Sequence, residues 1–374
     1  MQATNGSGVS FRTRWRLIGC LMALVLAVSA LGFGPASAGA ETAPATTTYL
    51  ALGDSISFGY TQERFNIHFP TESPSYFEEG VANFFVKDLA KSGEVGKSIR
   101  LVNDACPGET SNGMIGENPL IGGETSTETI EEVEGKPAEK FPAGGYQGPG
   151  DWRPCKYSFE SHLPLHNGGY YNPETFAAVS QLEEAIATLT KPVAHEVKAI
   201  TLNIGSNDEL AAITQCKNEF ILKLTGSLIG CIETTAATVT VPHIMQNIKH
   251  SIEALDGAGY KGPIIVLGFY NPDTFVLPNS DTLQKAANKA LGEELIPFLN
   301  GTVRNNITFA NPFPVFNKGT TEPAELKSIC KWTEMCNPNV PGGGSDQGDI
   351  HPSVKGYKEL AKLVNEAYLA NPAK

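Results

Sequence analysis

The sequence predicts an α/β protein: a parallel sheet of about five strands with helices on both faces, a three-layer α/β/α sandwich. Short apolar runs alternate with longer stretches of helical periodicity, which implies βαβ units. The first three runs each end in a small, polar, glycine-bearing turn, as strands do before a crossover. No internal repeat or convincing boundary interrupts this order, so a single domain is expected over 41–374.

The first strand is expected at 48–53, from Tyr49-Leu50-Ala51-Leu52, and it ends in Gly53-Asp54-Ser55. Residues 61–74 are polar and Pro-bearing and read as a loop. Phe77, Val81, Phe84, Phe85 and Leu89 recur at helical spacing, giving a helix over 76–90. A second strand at 99–103 leads into Asp104-Ala105-Cys106-Pro107-Gly108. Glycine, proline and acids then dominate 109–171, too long for an ordinary connection, so an insert over the active face is expected. A helix at 175–189 and a strand at 196–204 follow, the strand ending in Gly205-Ser206-Asn207-Asp208. A second loop-rich insert is expected at 214–235, then a helix at 241–255 and a fully buried strand at 263–269. Helix 280–299, strand 307–310, a Cys-bearing loop at 330–344 and a last helix at 353–370 complete the chain.

Residues 1–40 have the pattern of a cleaved signal peptide. Arg12, Arg14 and Arg16 form a basic start, Leu17 through Leu31 is apolar, and Ala36-Ser37-Ala38 offers a small-residue cleavage site. No further stretch reads as long and apolar enough to span a bilayer, so an exported protein without a stable membrane anchor is expected. The net charge of −12, with no basic run, argues against a nucleic-acid partner, because phosphate contacts need clustered Lys and Arg.

Beyond Cys20 in the leader, six cysteines remain. An even number in an exported chain points to disulfides. Sequential pairing is expected: Cys106 with Cys155, Cys216 with Cys231, Cys330 with Cys336. A zinc site is disfavoured, since no Cys-x-x-Cys occurs and no His stands at ligand spacing beside a Cys.

Four short stretches carry chemistry: Gly53-Asp54-Ser55, Pro107-Gly108, Gly205-Ser206-Asn207-Asp208 and Asp349-Ile350-His351-Pro352. The first three fall at the carboxyl ends of successive strands, where an open α/β sheet gathers ligands. Together they resemble the GDSL, or SGNH, hydrolase family. Gly53 to Ser57 matches its first block, Gly108 its second, Gly205 to Asp208 its third and His351-Pro352 its last. There is no G-x-S-x-G elbow, which disfavours the α/β-hydrolase class. Asp54 and Asp208 read as turn formers. The remaining histidines, among them His68 and His243, read as surface or core residues.

The resemblance implies a flavodoxin-like sandwich and a serine esterase, with Ser55 as nucleophile and His351 as base. It implies an oxyanion hole made by the Ser55 and Gly108 backbone N–H groups and the Asn207 side chain. No metal or organic cofactor is needed. The family usually places the orienting acid three residues before the histidine. That position is Gly348 here, so Asp349, Asp346 or a backbone carbonyl is left to orient the ring. The disulfides and the leader resemble secreted actinobacterial lipases and esterases, which implies an ester substrate such as an acyl lipid. The alternatives are an O-acetyl polysaccharide deacetylase and a catalytically silent surface-binding module.

Overall fold

The computed structural model describes residues 47–68, 74–92, 99–116, 171–172, 177–178, 180–190, 196–223, 227–272, 280–319, 322–338, 340 and 348–371. In chain order the first elements are β1 (Thr47–Gly53), α1 (Ser55–Phe58), α2 (Gln62–His68), α3 (Val81–Ser92), β2 (Ile99–Asn103) and α4 (Ser111–Ile115). A two-residue antiparallel pair, β3 (Tyr171–Asn172) with β4 (Ala177–Ala178), precedes α5 (Gln181–Thr190), β5 (Val197–Asn203), α6 (Ser206–Lys223), α7 (Leu228–Thr235) and α8 (Val241–Gly257). The rest are β6 (Ile264–Leu267), α9 (Ser280–Lys289), α10 (Ile296–Thr302), β7 (Ile307–Ala310), α11 (Phe313–Phe316), α12 (Glu322–Trp332) and α13 (Val354–Leu369).

Five strands form one parallel sheet in the order β2-β1-β5-β6-β7. Successive side chains of a strand point to opposite faces, and both faces here are buried. Tyr49, Ala51, Ala199, Ile265, Leu267 and Ala310 meet α3, α12 and α13 on one side. Leu50, Leu52, Ile200, Leu202, Val266 and Ile307 meet α5, α8 and the α9–α10 run on the other. This is the expected three-layer sandwich. The chain order reverses between β1 and β5, so a crevice opens at the carboxyl ends of those two strands.

Several sequence expectations are corrected. Residues 62–68, read as loop, form α2: the Thr61 hydroxyl accepts from Arg64 N at 3.3 Å, a local cap that outweighs the polar composition. Helix 175–189 starts only at Gln181, where Ser180 and Glu183 form a reciprocal capping box, Ser180 N to the Glu183 carboxylate at 2.7 Å and Glu183 N to the Ser180 hydroxyl at 3.2 Å. The second insert, 214–235, is not loop-rich: it consists largely of the end of α6 and of α7, bridged by Cys216–Cys231, with Ser227 capping α7. Its apolar residues pack on each other and on α9 rather than along one face, so periodicity concealed it. The first insert begins as helix: Thr110 caps α4, and residues 109–114 are buried. Residues 117–170 lie outside the described residues.

The expected pairs Cys216–Cys231 and Cys330–Cys336 are bridged, with Cα separations of 5.8 and 5.2 Å. Cys155, the expected partner of Cys106, lies outside the described residues. The expectation that no further stretch is long and apolar enough to span a bilayer is corrected by the helical run Leu228–Gly257, which is so by length and composition. Ile244, Ile248, Ile252 and Leu255 of this run are buried against the sheet, while 28% of its apolar stretch is buried in all.

Candidate active site

Ser55 is the first residue of α1, directly after β1. The turn is tight because Gly53 takes φ +145° and a Cβ there would lie 2.2 Å from the Asn203 carbonyl oxygen. Asp54 caps the helix, its carboxylate accepting from Ile56 N at 2.9 Å. The turn reading of Asp54 therefore holds. Its burial pushes its carboxyl up to about 7.

His351 arrives from the loop before α13. Its Nε2 lies 2.8 Å from Ser55 Oγ, although the two residues are 296 apart in sequence. On the far side of the ring, Nδ1 lies 2.5 Å from Asp349 Oδ1. An ionised carboxylate can only accept, so Nδ1 carries the proton and Nε2 is left to accept from the Ser55 hydroxyl. Burial alone would raise the Asp349 carboxyl. The imidazole beside it and hydrogen bonds from His351 and Gln62 N outweigh that and hold it below the usual carboxylate range. Gln62 N, at the start of α2, donates to Asp349 Oδ2 at 2.7 Å. The helix that sequence reading missed is thus what fixes the acid.

Of the three candidates for orienting the ring, Asp349 occupies the place. Gly348 cannot carry a side chain: its φ is +107° and a Cβ would lie 2.2 Å from the Met335 carbonyl oxygen. Asp346 is outside the described residues. The loop is pinned all round. Glu334 N donates to the His351 carbonyl at 2.9 Å, Tyr270 OH to the Ile350 carbonyl at 2.8 Å, and the Tyr60 ring meets the imidazole edge-on at 4.8 Å.

Gly108 takes φ +76°, a conformation for which glycine is favoured. Asn207, second residue of α6, donates one amide hydrogen to the Glu109 carbonyl at 2.9 Å, which leaves the other free of that bond. Ser55, Gly108, Asn207 and His351 line one cleft. Beside them Leu210, Ile213, Ile229, Ile232 and Leu283, from α6, α7 and α9, form an apolar part of the cleft wall, with Glu209, Glu233 and Gln284 of the same helices also lining it. Asp208, expected to hold a turn, instead stands in the first turn of α6 and ties it to the start of α4, accepting from Ser111 N at 2.8 Å and Ser111 Oγ at 2.7 Å; burial pushes its carboxyl up to about 6. His243 is structural, its Nε2 lying 2.5 Å from Asn112 Oδ1. Among the described residues no group of three or more His, Cys, Asp or Glu side chains could hold a metal ion.

Two buried residues around this crevice had no sequence signal: Glu109, inside a stretch read as an insert, and Gln181, at the foot of an ordinary amphipathic helix. Burial pushes the Glu109 carboxyl up to about 8, against ~4.3 in an unfolded chain. Between those pH values the unfolded chain has released the proton and the folded chain has kept it. Stability therefore falls as pH rises from ~4.3 to ~8, by up to ~1.4 kcal/mol per pH unit from this group. Glu109→Gln removes the contribution, so the variant gains on the wild type as pH rises from 5 to 8. Urea unfolding at several pH values checks this, and parallel curves for the two proteins would refute it.

A hydroxyl, an imidazole and a carboxylate in hydrogen-bonded series at the carboxyl end of a parallel sheet suit nucleophilic acyl transfer. The chain belongs to the GDSL-like lipase/acylhydrolase family, whose profile matches residues 49–364, and it is an ester hydrolase. No curated protein matches the chain. Solved structures similar to it include a lipase from a goat rumen metagenome, 13% identical, covering 86% of this chain and 97% of that one at a TM-score of 0.43. They also include phospholipase A1 from Streptomyces albidoflavus, 13% identical, 86% and 100% covered, TM-score 0.42. A third is an extracellular lipase from Streptomyces rimosus, 14% identical, 86% and 100% covered, TM-score 0.37.

Proposed function

We propose that the chain is an exported serine esterase that hydrolyses acyl lipids through a covalent acyl-enzyme. Ser55 Oγ attacks the ester carbonyl while His351 Nε2 takes its proton. The imidazolium so formed is stabilised by Asp349. The oxyanion is received by the N–H groups of Ser55 and Gly108 and by the Asn207 amide. His351 returns the proton to the departing alcohol, and the Ser55 ester carries the acyl group. Water, deprotonated by the same imidazole, then attacks that ester, the acid leaves, and Ser55 regains its proton. The observation that carries this reading is the Ser55–His351–Asp349 series, at 2.8 and 2.5 Å.

Acyl lipid is the favoured substrate because of the apolar wall. Ile213, Ile232 and Leu283 line the cleft and also pack with the Cys216–Cys231 bridge. A long acyl chain gains from such a wall, roughly 0.8 kcal/mol for each methylene buried, and an acetyl group gains almost nothing. Export is supported by the basic and apolar leader and by the two bridges, which persist in oxidising compartments.

A series of p-nitrophenyl esters from acetate to palmitate, run beside acetylated xylan, tests the substrate. The expected result is a rise in kcat/KM towards acyl chains of eight or more carbons. Activity confined to acetyl esters would replace the reading with a polysaccharide deacetylase. No turnover and no labelling by a fluorophosphonate would leave a binding module.

A further inference from the structure

We propose that Gln181 is a positioning residue that, with the buried side chain of Glu109, sets the oxyanion-binding segments against one another. The inference rests on the preceding reading, in which Ser55 N, Gly108 N and the Asn207 amide receive the oxyanion.

Gln181 is the first residue of α5 and is fully buried. Its Oε1 accepts from Gly53 N at 2.8 Å, and its Nε2 donates to the Gly53 carbonyl at 2.8 Å. One amide thus holds both polar groups of the residue two before Ser55, and those groups fix which way the amide faces. The same Nε2 donates to Glu109 Oε2 at 3.2 Å. Glu109 follows Gly108 directly, and its carbonyl accepts from Asn207. The Gly53 carbonyl also accepts from Cys106 N at 3.0 Å, in the turn that carries Gly108. Gln181 therefore ties the end of β1 to the segment after β2, and Glu109 of that segment in turn takes the Asn207 amide from the segment after β5.

The arrangement has a function that packing does not explain. Two of the three donors are backbone N–H groups, and these cannot be re-aimed by a rotamer change. Their directions follow from the peptide planes of turns 53–55 and 106–109. A carboxyl buried with one oxygen, Oε1, unpaired is costly to keep, and leucine would fill similar space without that cost. What Glu109 supplies, and leucine cannot, is an acceptor that ties the Gly108 turn to the amide gripping Gly53. Preplaced donors lower the barrier only while their spacing holds.

The test uses the full-length protein and a p-nitrophenyl ester, with kcat normalised to sites titrated at end point by a fluorophosphonate. Gln181→Met keeps the approximate volume and removes every hydrogen bond. It is expected to lower kcat by ~10–100-fold with KM changed less than about twofold, because the lost alignment concerns the developing oxyanion. Glu109→Leu is expected to fall ~10-fold below Glu109→Gln, which keeps an acceptor for Gln181. The Glu109 pair decides the matter if Gln181→Met does not fold. A kcat per titrated site within threefold of wild type for folded Gln181→Met, or equal rates for the two Glu109 variants, would overturn the inference. Ser55→Ala separates the two levels: substantial turnover by that variant sinks the underlying reading, whereas an inactive Ser55→Ala beside an unimpaired Gln181→Met sinks the inference alone.

Discussion

His351→Ala is expected to lower kcat by ~10⁵–10⁶-fold, Ser55→Ala by about the same factor, and the double substitution by no more than either alone. The three losses coincide because hydroxyl and imidazole act as one unit. Without the base, a seryl hydroxyl is a poor nucleophile at neutral pH. Without the hydroxyl, the imidazole has no covalent step to assist. Asp349→Ala is expected to cost less, ~10⁴-fold, because the ring keeps its other supports. The Glu334 and Tyr270 hydrogen bonds hold the loop, and the Tyr60 ring stands against the imidazole. What is lost is the acceptor that selects the tautomer and stabilises the imidazolium. Single-site kinetics on a p-nitrophenyl ester give all four values. Equal losses for Asp349→Ala and His351→Ala would make the carboxylate indispensable, and a His351→Ala variant within a hundredfold of wild type would end the Ser–His reading.

Asn207→Ala is expected to lower kcat by ~10²–10³-fold while KM stays nearly constant. A substrate carbonyl and a tetrahedral oxyanion differ mainly in charge and position, so a donor aimed at the oxyanion contributes to the transition state and little to the ground state. One Asn207 hydrogen is spent on the Glu109 carbonyl, which fixes the plane of the amide. Asn207→Asp should be the worse variant, since it replaces the donor by an acceptor with negative charge. A rise in KM at unchanged kcat for Asn207→Ala would place this side chain in substrate binding instead.

The short apolar runs at 47–53, 99–103, 197–203 and 307–310 were plain in the sequence, and the strands lie where they put them to within a residue or two. Burial on both faces makes a parallel strand a nearly continuous apolar run, and little else in the chain has that form. Elements set by local hydrogen bonds were harder to read. The Thr61 cap starts α2 within a polar, proline-bearing stretch, and α6 and α7 bury residues against each other with no single apolar stripe. The boundary of α5 followed the Ser180–Glu183 box, a signal present in the sequence but weaker than the apolar periodicity around it.

Sequence alone pointed to the residue types that could do the chemistry: short blocks and their order give Ser55, Gly108 and Asn207 after strand ends and His351 just before the last helix. It could not choose between Asp349, Asp346 and a carbonyl, because two residues of spacing do not say where a carboxylate points. Tertiary structure places the Asp349 carboxylate against His351 Nδ1, with the Gln62 N–H on its other oxygen. It also brought in Glu109 and Gln181, whose positions follow from the packing of α4 and α5 at the crevice. The reason is physical. A nucleophile or a base is recognisable from its own chemistry, whereas a residue that acts by holding other segments is defined only by what it touches.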